Sequence, residues 1–207
     1  NYPMSQVADI LLPRADLVPV GEDQAPHIEM TREVVRKFNR IFEPIFKEPD
    51  TKIGRVPRLK GIDGNNKMSK SKGNVIELRF SEEQVNKAVM SMYTDPKRLK
   101  ATDPGTVEGN PLFQYHDAFN PDKEKVDDFK KRYREGKVGD VEVKKDLAES
   151  LNNFLSPIRE KREYYENNPK EVEDALMSGT SKAREIASET MKMVRAAMKI
   201  DSYTSKW

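Results

Sequence analysis

Three lysines and two hydroxyls crowd into eight residues of this chain, Lys67-Met68-Ser69-Lys70-Ser71-Lys72-Gly73-Asn74. Asn65 and Asn66 precede the run and Gly73 nearly closes it, a composition that predicts a mobile loop rather than a helix or strand. Lysine is a compact cation on a flexible stem, suited to following a polyphosphate whose charge moves during reaction; an arginine fork suits a fixed geometry better. From Thr51 to Gly73 the bases are Lys52, Arg55, Arg58, Lys60, Lys67, Lys70 and Lys72, and Asp63 is the only acid. The local field is strongly positive, and stabilising charge on a departing phosphate is the chemistry these residues could do. A solvated Lys/Ser linker has the same composition. What separates the two readings is the literal order of the residues.

The elements that must position this loop are legible on both sides of it. Val7, Ala8, Ile10, Leu11 and Leu12 suggest a buried helix ended by Pro13, and Leu17-Val18-Pro19-Val20 is a short apolar run of the kind found in buried parallel strands. Gly21 closes that run. Pro26 then stands where the first turn of a helix would be, behind the acids Glu22 and Asp23, and Ile28, Thr31, Val34, Val35, Phe38 and Ile41 follow at helical spacing. Strand, glycine, helix is half of a βαβ unit, in which ligands bind at strand ends beside helix N-termini, here Val20 to Gln24. A chain that begins inside such a pattern looks cut. From Ser81 the pattern turns helical: Ser81 with Gln84 is a capping box before Val85, Ala88, Val89 and Met92. Turn signals fill 94–111, and helices are expected near 122–134, 141–166, 170–177 and 181–200. Leu147, Leu151, Phe154, Leu155 and Ile158, and separately Ala183, Ile186, Ala187, Thr190, Val194 and Ala197, form stripes that predict core faces of a small bundle.

Composition limits the alternatives. With 207 residues, 36% of them hydrophobic and 35% charged, the chain can bury one sizeable core or two small ones. It has no cysteine and only two histidines, His27 and His116, so thiolate and histidine metal sites are not expected; any metal would be held by oxygens. No apolar stretch approaches membrane-spanning length, and the N-terminal residues do not form a basic, hydrophobic leader, so a cytoplasmic protein with no membrane partner is expected. With 37 basic and 35 acidic residues the net charge is +2, which argues against general polyanion binding; no DNA partner is expected, and any RNA contact must come from local patches.

Lys67-Met68-Ser69-Lys70-Ser71 resembles the signature loop of class I aminoacyl-tRNA synthetases. Leu17 to Gln24 followed by His27, Glu29, Thr31 and Arg32 resembles the tryptophanyl-tRNA synthetase pattern, as does Tyr2-Pro3 leading to Ala8-Asp9-Ile10-Leu11-Leu12. Met92 to Pro96, Asp103-Pro104-Gly105 and Glu108 to Pro111 are similar to that family's junction into its C-terminal helices. Tyr2, Gln6 and Asp9 also match a Tyr-x-x-x-Gln-x-x-Asp pattern of the tyrosyl enzymes. The resemblance implies an α/β fold: the second half of a Rossmann-type nucleotide-binding domain in residues 1–93, then an α-helical bundle that binds the tRNA anticodon in 94–207. The family's His-Ile-Gly-His-like motif has no counterpart here, which implies the C-terminal portion of a longer enzyme, inactive alone. A non-catalytic, synthetase-derived RNA-binding or regulatory module, or a tyrosine enzyme, are the alternatives.

The resemblance further implies ATP-dependent joining of L-tryptophan to tRNA(Trp) through tryptophanyl-adenylate, with Mg²⁺ carried on the ATP phosphates and a homodimeric enzyme. Lys67, Ser69, Lys70 and Ser71 would act on the leaving pyrophosphate, Lys70 most of all, while Lys72 is a surface charge. ATP contacts would fall on Gly21, Glu22, Asp23, Leu59, Lys67, Met68, Ser69, Lys70 and Ser71, and tryptophan contacts on Tyr2, Gln6, Asp9 and Gln24. Asp9 would accept the indole N–H; the alternative is a carboxylate bracing its own helix. Gln24 and Tyr2 would meet the α-amino group. Glu22 and Asp23 would reach ribose hydroxyls or the ammonium, or one of them would serve only the helix N-terminus. His27 reads as a helix-end residue rather than a base.

Overall fold

A computed structural model describes residues 2–54, 56, 59–65, 67–96, 98, 100 and 102–200. Arg55, Arg58 and Asn66, named above, lie outside the described residues. The chain divides into two compact units, one of residues 1–58 with 169–207, the other of residues 59–168. These limits do not coincide with the division at 93 and 94 expected above.

The first unit is built on one parallel crossover. Helix α1 (Tyr2–Leu11) buries Val7 and Ile10, and its chain turns at Arg14, which takes φ 54°. Strand β1 (Leu17–Val20) pairs in parallel with β2 (Asp50–Ile53), Leu17 opposite Asp50 and Val20 opposite Ile53. Between them α2 (Ala25–Ile41) starts with proline in its first turn, where the missing N–H costs nothing, and buries Ile28, Thr31 and Val35. The expected helical stripe is present, except that Ile41 is exposed. The strand reading holds, but not its burial: Leu17 is 50% exposed and Ile53 51%, because the described sheet has two strands and neither is flanked on both sides. Helix α7 (Pro169–Ala197) belongs to this unit, and Thr190 Oγ1 donates to Leu12 O at 2.7 Å. Two helices were expected over 170–200, and one forms. A methyl group at Gly179 would meet nothing, so that glycine carries only its propensity cost of about 1 kcal/mol. Its expected core stripe is not buried as a stripe: Thr190 and Ala197 are buried, while Ala183 and Ile186 are exposed.

The second unit is a helical bundle with the lysine run attached. Helix α3 (Glu82–Met90) opens with the expected capping box, Ser81 Oγ accepting from Gln84 N at 3.2 Å and Gln84 Oε1 accepting from Ser81 N at 2.9 Å. Helix α4 (Pro111–Phe119), which the sequence reading does not anticipate, is capped by Asn110 and has proline at its start. Helices α5 (Lys123–Arg134) and α6 (Asp140–Asn167) match expectation. Val85, Val89, Leu112, Phe113, Tyr133, Val143 and Leu147 are buried almost completely and form one core. Each large side chain so removed from water contributes about 1.5–3 kcal/mol before entropy is counted. Arg98 crosses the turn-rich connection, its guanidinium 3.0 Å from Asp140, 2.7 Å from Val138 O and 4.0 Å from the centroid of the Tyr133 ring. Among the described residues no helix is long and apolar enough to cross a membrane.

Candidate functional site

The lysine run is less free than its composition suggests. Lys70–Lys72 forms a single 3₁₀ turn, ended by Gly73 at φ 65°, a left-handed conformation that glycine adopts without strain. Behind it Asn74, 2% exposed, ties both ends together. Its Oδ1 accepts from Ser69 N at 2.8 Å, and its Nδ2 donates to Lys67 O and to Asp63 Oδ1, each at 3.0 Å. Asp63 also accepts from Asn65 N at 3.0 Å and Asn65 Nδ2 at 2.6 Å. These bonds, the one from the Asn65 side chain foremost, hold the Asp63 carboxyl below its ordinary pKa. Gly61 leaves room for this junction: a β-carbon there would collide with the Asn74 amide and come within 2.6 Å of Asp63 Oδ1. The lone acid of the segment is therefore consumed in shaping the loop. Asn74 and Gly61 escape sequence reasoning, and the only hint of either is an asparagine placed directly after the turn glycine.

The charged side chains point to solvent. Lys67, Lys70 and Lys72 are exposed, and none forms an ion pair among the described residues. Ser69 Oγ and Ser71 Oγ lie 2.7 Å apart, so either hydroxyl can donate to the other or to an oxyanion. Lys60, counted above in the positive field, is not free: its Nζ donates to Gly109 O at 2.9 Å, and its own carbonyl accepts from Tyr115 Oη at 3.2 Å. Leu59 and Met68 are half-buried with their side chains packed on the core, so they fix the loop's root from beneath.

The first unit gathers the remaining residues in two places. Tyr2, Gln6 and Asp9 fall at helical spacing on one face of α1, and the Tyr2 ring meets His27 edge-on at 6.3 Å. Tyr2 is 73% exposed and Asp9 is exposed. Gln6 differs: its Oε1 is buried with no hydrogen-bond partner, alone in this among the described residues. A buried acceptor left unpaired costs about 1–3 kcal/mol, and this oxygen could accept from a ligand's donor. The other place is the end of β1, where Gly21 leads into a 3₁₀ turn, Glu22–Gln24, that runs straight into α2. Gly21 is extended (φ −71°), so its glycine is not demanded by backbone angle; a β-carbon would instead lie 2.9 Å from Asp23 Oδ1. Gln24 Nε2 donates to Asp23 Oδ2 at 3.3 Å, which leaves the Gln24 carbonyl free to accept. Thr31 Oγ1 donates to His27 O at 2.9 Å, one turn back along α2.

Among the described residues no cluster of three or more His, Asp or Glu side chains could hold a metal ion. Within the loop, Lys67, Lys70 and Lys72 are exposed cations that could meet an anionic ligand; within the first unit, α1 and the end of β1 carry acceptors that could meet an N–H donor.

Residues 1–156 match the family described as tRNA synthetases class I (W and Y). The tryptophan–tRNA ligase of Chlamydia caviae is 50% identical over 207 residues, all of this chain and 59% of the relative; that of Treponema pallidum is 50% identical over 198 residues, 96% of this chain and 59% of the relative. The chain thus spans about 59% of the length of the curated relatives it matches. Among solved structures, the tryptophanyl-tRNA synthetase of Campylobacter jejuni, determined with ADP and tryptophan, superposes with a TM-score of 0.73 at 33% identity, covering 96% of this chain and 61% of its own. A tryptophanyl-tRNA synthetase from Mycoplasma pneumoniae gives 0.75 at 26% identity over 99% of this chain and 62% of its own. With a family match over three quarters of its length and a signature loop built as described, the chain belongs to the class I tRNA synthetases (W and Y).

Proposed function

We propose that this chain works in the ATP-dependent joining of L-tryptophan to tRNA(Trp). The observation that carries the proposal is the lysine loop: three exposed cations, in no ion pair among the described residues, on a loop that one buried asparagine holds at Lys67 and Ser69. Such a device suits a step in which negative charge grows on a departing polyphosphate. The identity to tryptophan–tRNA ligases supports the choice of amino acid.

In the first step a carboxylate oxygen of tryptophan attacks the α-phosphorus of ATP, and the bond to the β-phosphate oxygen breaks, giving tryptophanyl-adenylate and pyrophosphate. Catalysis of such phosphoryl chemistry is mostly positioning and charge stabilisation. Lys67 and Lys70 neutralise the pyrophosphate as it leaves, Lys70 with the larger share, and Ser69 and Ser71 donate hydroxyl hydrogens; Lys72 stays a surface charge. Leu59 and Met68 serve ATP through their main chain, since their side chains face the core. Mg²⁺, for which the described residues provide no cluster of ligands, would arrive on the phosphates and help to neutralise them. In the second step a hydroxyl of the terminal tRNA ribose attacks the activated carbonyl and AMP departs.

Tryptophan is read by Tyr2, Gln6, Asp9 and Gln24. Indole has one N–H donor and no acceptor, which Asp9 can meet, and the bare Gln6 Oε1 accepts a second donor from the substrate. Gly21, Glu22 and Asp23 serve the ribose and the ammonium at the start of α2. Residues 1–93 form the catalytic side and 94–207 the anticodon-binding side of a homodimeric, cytoplasmic enzyme. ATP–pyrophosphate exchange by the full-length protein tests the reading: exchange dependent on tryptophan and not on tyrosine is expected. Exchange with tyrosine would reassign the substrate, and no exchange with either would leave an RNA-binding module.

A further inference from the structure

The second unit holds a buried charge that the reaction above does not use. Lys144, in the second turn of α6, is 5% exposed. Its Nζ donates to Met90 O at 3.2 Å, Met92 O at 2.7 Å and Thr94 Oγ1 at 3.1 Å, so all three of its hydrogens go to one segment where α3 ends. Burying an ammonium costs several kcal/mol unless its hydrogens are matched, and an apolar side chain would fill the same space without that cost. What an apolar side chain cannot do is fix three acceptors of residues 90–94 at once. The negative end of the α3 dipole adds to the attraction.

That segment leads directly to the loop. Tyr93, between two of the acceptor residues, donates its N–H to Ile62 O at 2.7 Å, and Ile62 N donates to Asn74 O at 3.0 Å. The Tyr93 ring covers Gly64, where φ is 85° and an added β-carbon would come to 3.0 Å from that ring. Asn74 then holds Ser69 N and Lys67 O, as described. Helix α6 also grips the other end of α3, through Arg159 to Phe80 O at 3.2 Å and Asn152 to Asn86 at 2.9 Å, so α3 cannot slide when its C-terminal end is loaded.

We infer that Lys144 is a positioning residue for the lysine loop, acting through Tyr93, Ile62 and Asn74 to fix the root from which Lys67 and Lys70 reach the pyrophosphate. The inference rests on the function proposed for that loop. Small displacements of a charge-stabilising group have large kinetic effects, and this series of hydrogen bonds reaches from the bundle to both Ser69 N and Lys67 O.

The test is ATP–pyrophosphate exchange with tryptophan in the full-length protein. Lys144→Met should lower kcat about tenfold, with the KM for tryptophan within about twofold of the parent, and Lys144→Arg should restore part of the loss. In a Lys70→Ala background Lys144→Met should lower kcat by much less than its effect of about tenfold in the parent, since most of that effect passes through the residue already removed. Amide exchange at Ile62 and Ser69 should rise in Lys144→Met while that of α5 stays unchanged. If Lys144→Met does not fold, Thr94→Val, which removes one acceptor and no charge, carries the same criteria with a smaller loss. An unchanged kcat in Lys70→Ala would overturn the reading of the loop itself. A Lys70→Ala loss without a Lys144→Met loss, or losses that multiply in the double variant, would overturn the role of Lys144 alone.

Discussion

His116 and Val143 are joined by a 3.0 Å hydrogen bond from the imidazole Nε2 to the main-chain carbonyl, in a part of the core where the histidine has no solvent exposure. Nδ1 lies 3.1 Å from Asn120 Nδ2, which also donates to Asp146 Oδ1 at 2.8 Å, so the ring is held as the neutral tautomer with its proton on Nε2. A second proton on Nδ1 would face an N–H. Burial pushes the His116 pKa down, against the opposing bond to Val143 and the charges of Asp146 and Asp117. A base depressed in the folded state contributes its full stability above its unfolded pKa of about 6.5 and loses it as pH falls from there toward the folded value. Thermal melts from pH 7.5 to 5.5 should show a decline of at most about 1.4 kcal/mol per pH unit from this one group. His116→Gln should be less stable at pH 7.5 and flatter across the window; a parallel slope would remove His116 from the acid response.

Lys70→Ala in the full-length protein should lower the rate of adenylate formation on the order of a hundredfold, the usual loss when one group aimed at developing charge is removed. The dissociation constant of tryptophan should change little, because the charge matters as pyrophosphate departs rather than when the amino acid binds. Single-turnover measurements separate the two quantities. Equal losses in both would place Lys70 in substrate binding.

Asp9 is exposed on α1, and a bound indole would cover it. Asp9→Ala should therefore lose discrimination between tryptophan and an analogue whose indole N–H is replaced by a non-donor. The parent strands a covered carboxylate when the analogue binds, at a cost of about 1–3 kcal/mol, and the variant has nothing to strand. The ratio of kcat/KM values for the two substrates is the measurement. An identical ratio in both proteins would leave Asp9 as a brace of its helix.

Gln6→Met should raise the melting temperature while weakening tryptophan binding. The orphaned Oε1 is a cost to the folded chain in the absence of substrate, about 1–3 kcal/mol if no donor reaches it, and methionine fills similar space without a polar atom. Scanning calorimetry without tryptophan, beside equilibrium binding of tryptophan, tests both halves. Destabilisation would show that Gln6 is satisfied in solution.

What the sequence made legible is what depends on neighbours in the chain. The start of α2 is marked by Pro26 and that of α3 by Ser81 with Gln84, and both form where those residues dictate. Helix α4 was hidden because its cap, Asn110, and first residue, Pro111, look like one more turn after Asp103-Pro104-Gly105. The helices expected near 170–177 and 181–200 are one, α7, since a helix of 29 residues absorbs the cost of Gly179 between them. In the candidate site, the loop and its charges could be read from the order of residues. The junction of Asn74 with Asp63, Gly61 and Lys67 could not, because its partners are brought together by turns rather than by spacing. The burial of Lys144 was equally invisible, for a lysine in an amphipathic helix is expected to face water.

The bond from Asn74 Nδ2 to Lys67 O makes residues 67 to 74 a small ring, closed by a side chain instead of by a strand pair. The entropy of closing a ring grows only with the logarithm of its size, about 0.6 kcal/mol for each doubling. Adding a residue or two between Ser69 and Gly73 would thus scarcely disturb the fold, yet it would swing the ammonium groups of Lys70 and Lys72 to a new bearing. Length in this short stretch acts as a tuning parameter for charge direction, nearly uncoupled from the stability of the bundle that carries it.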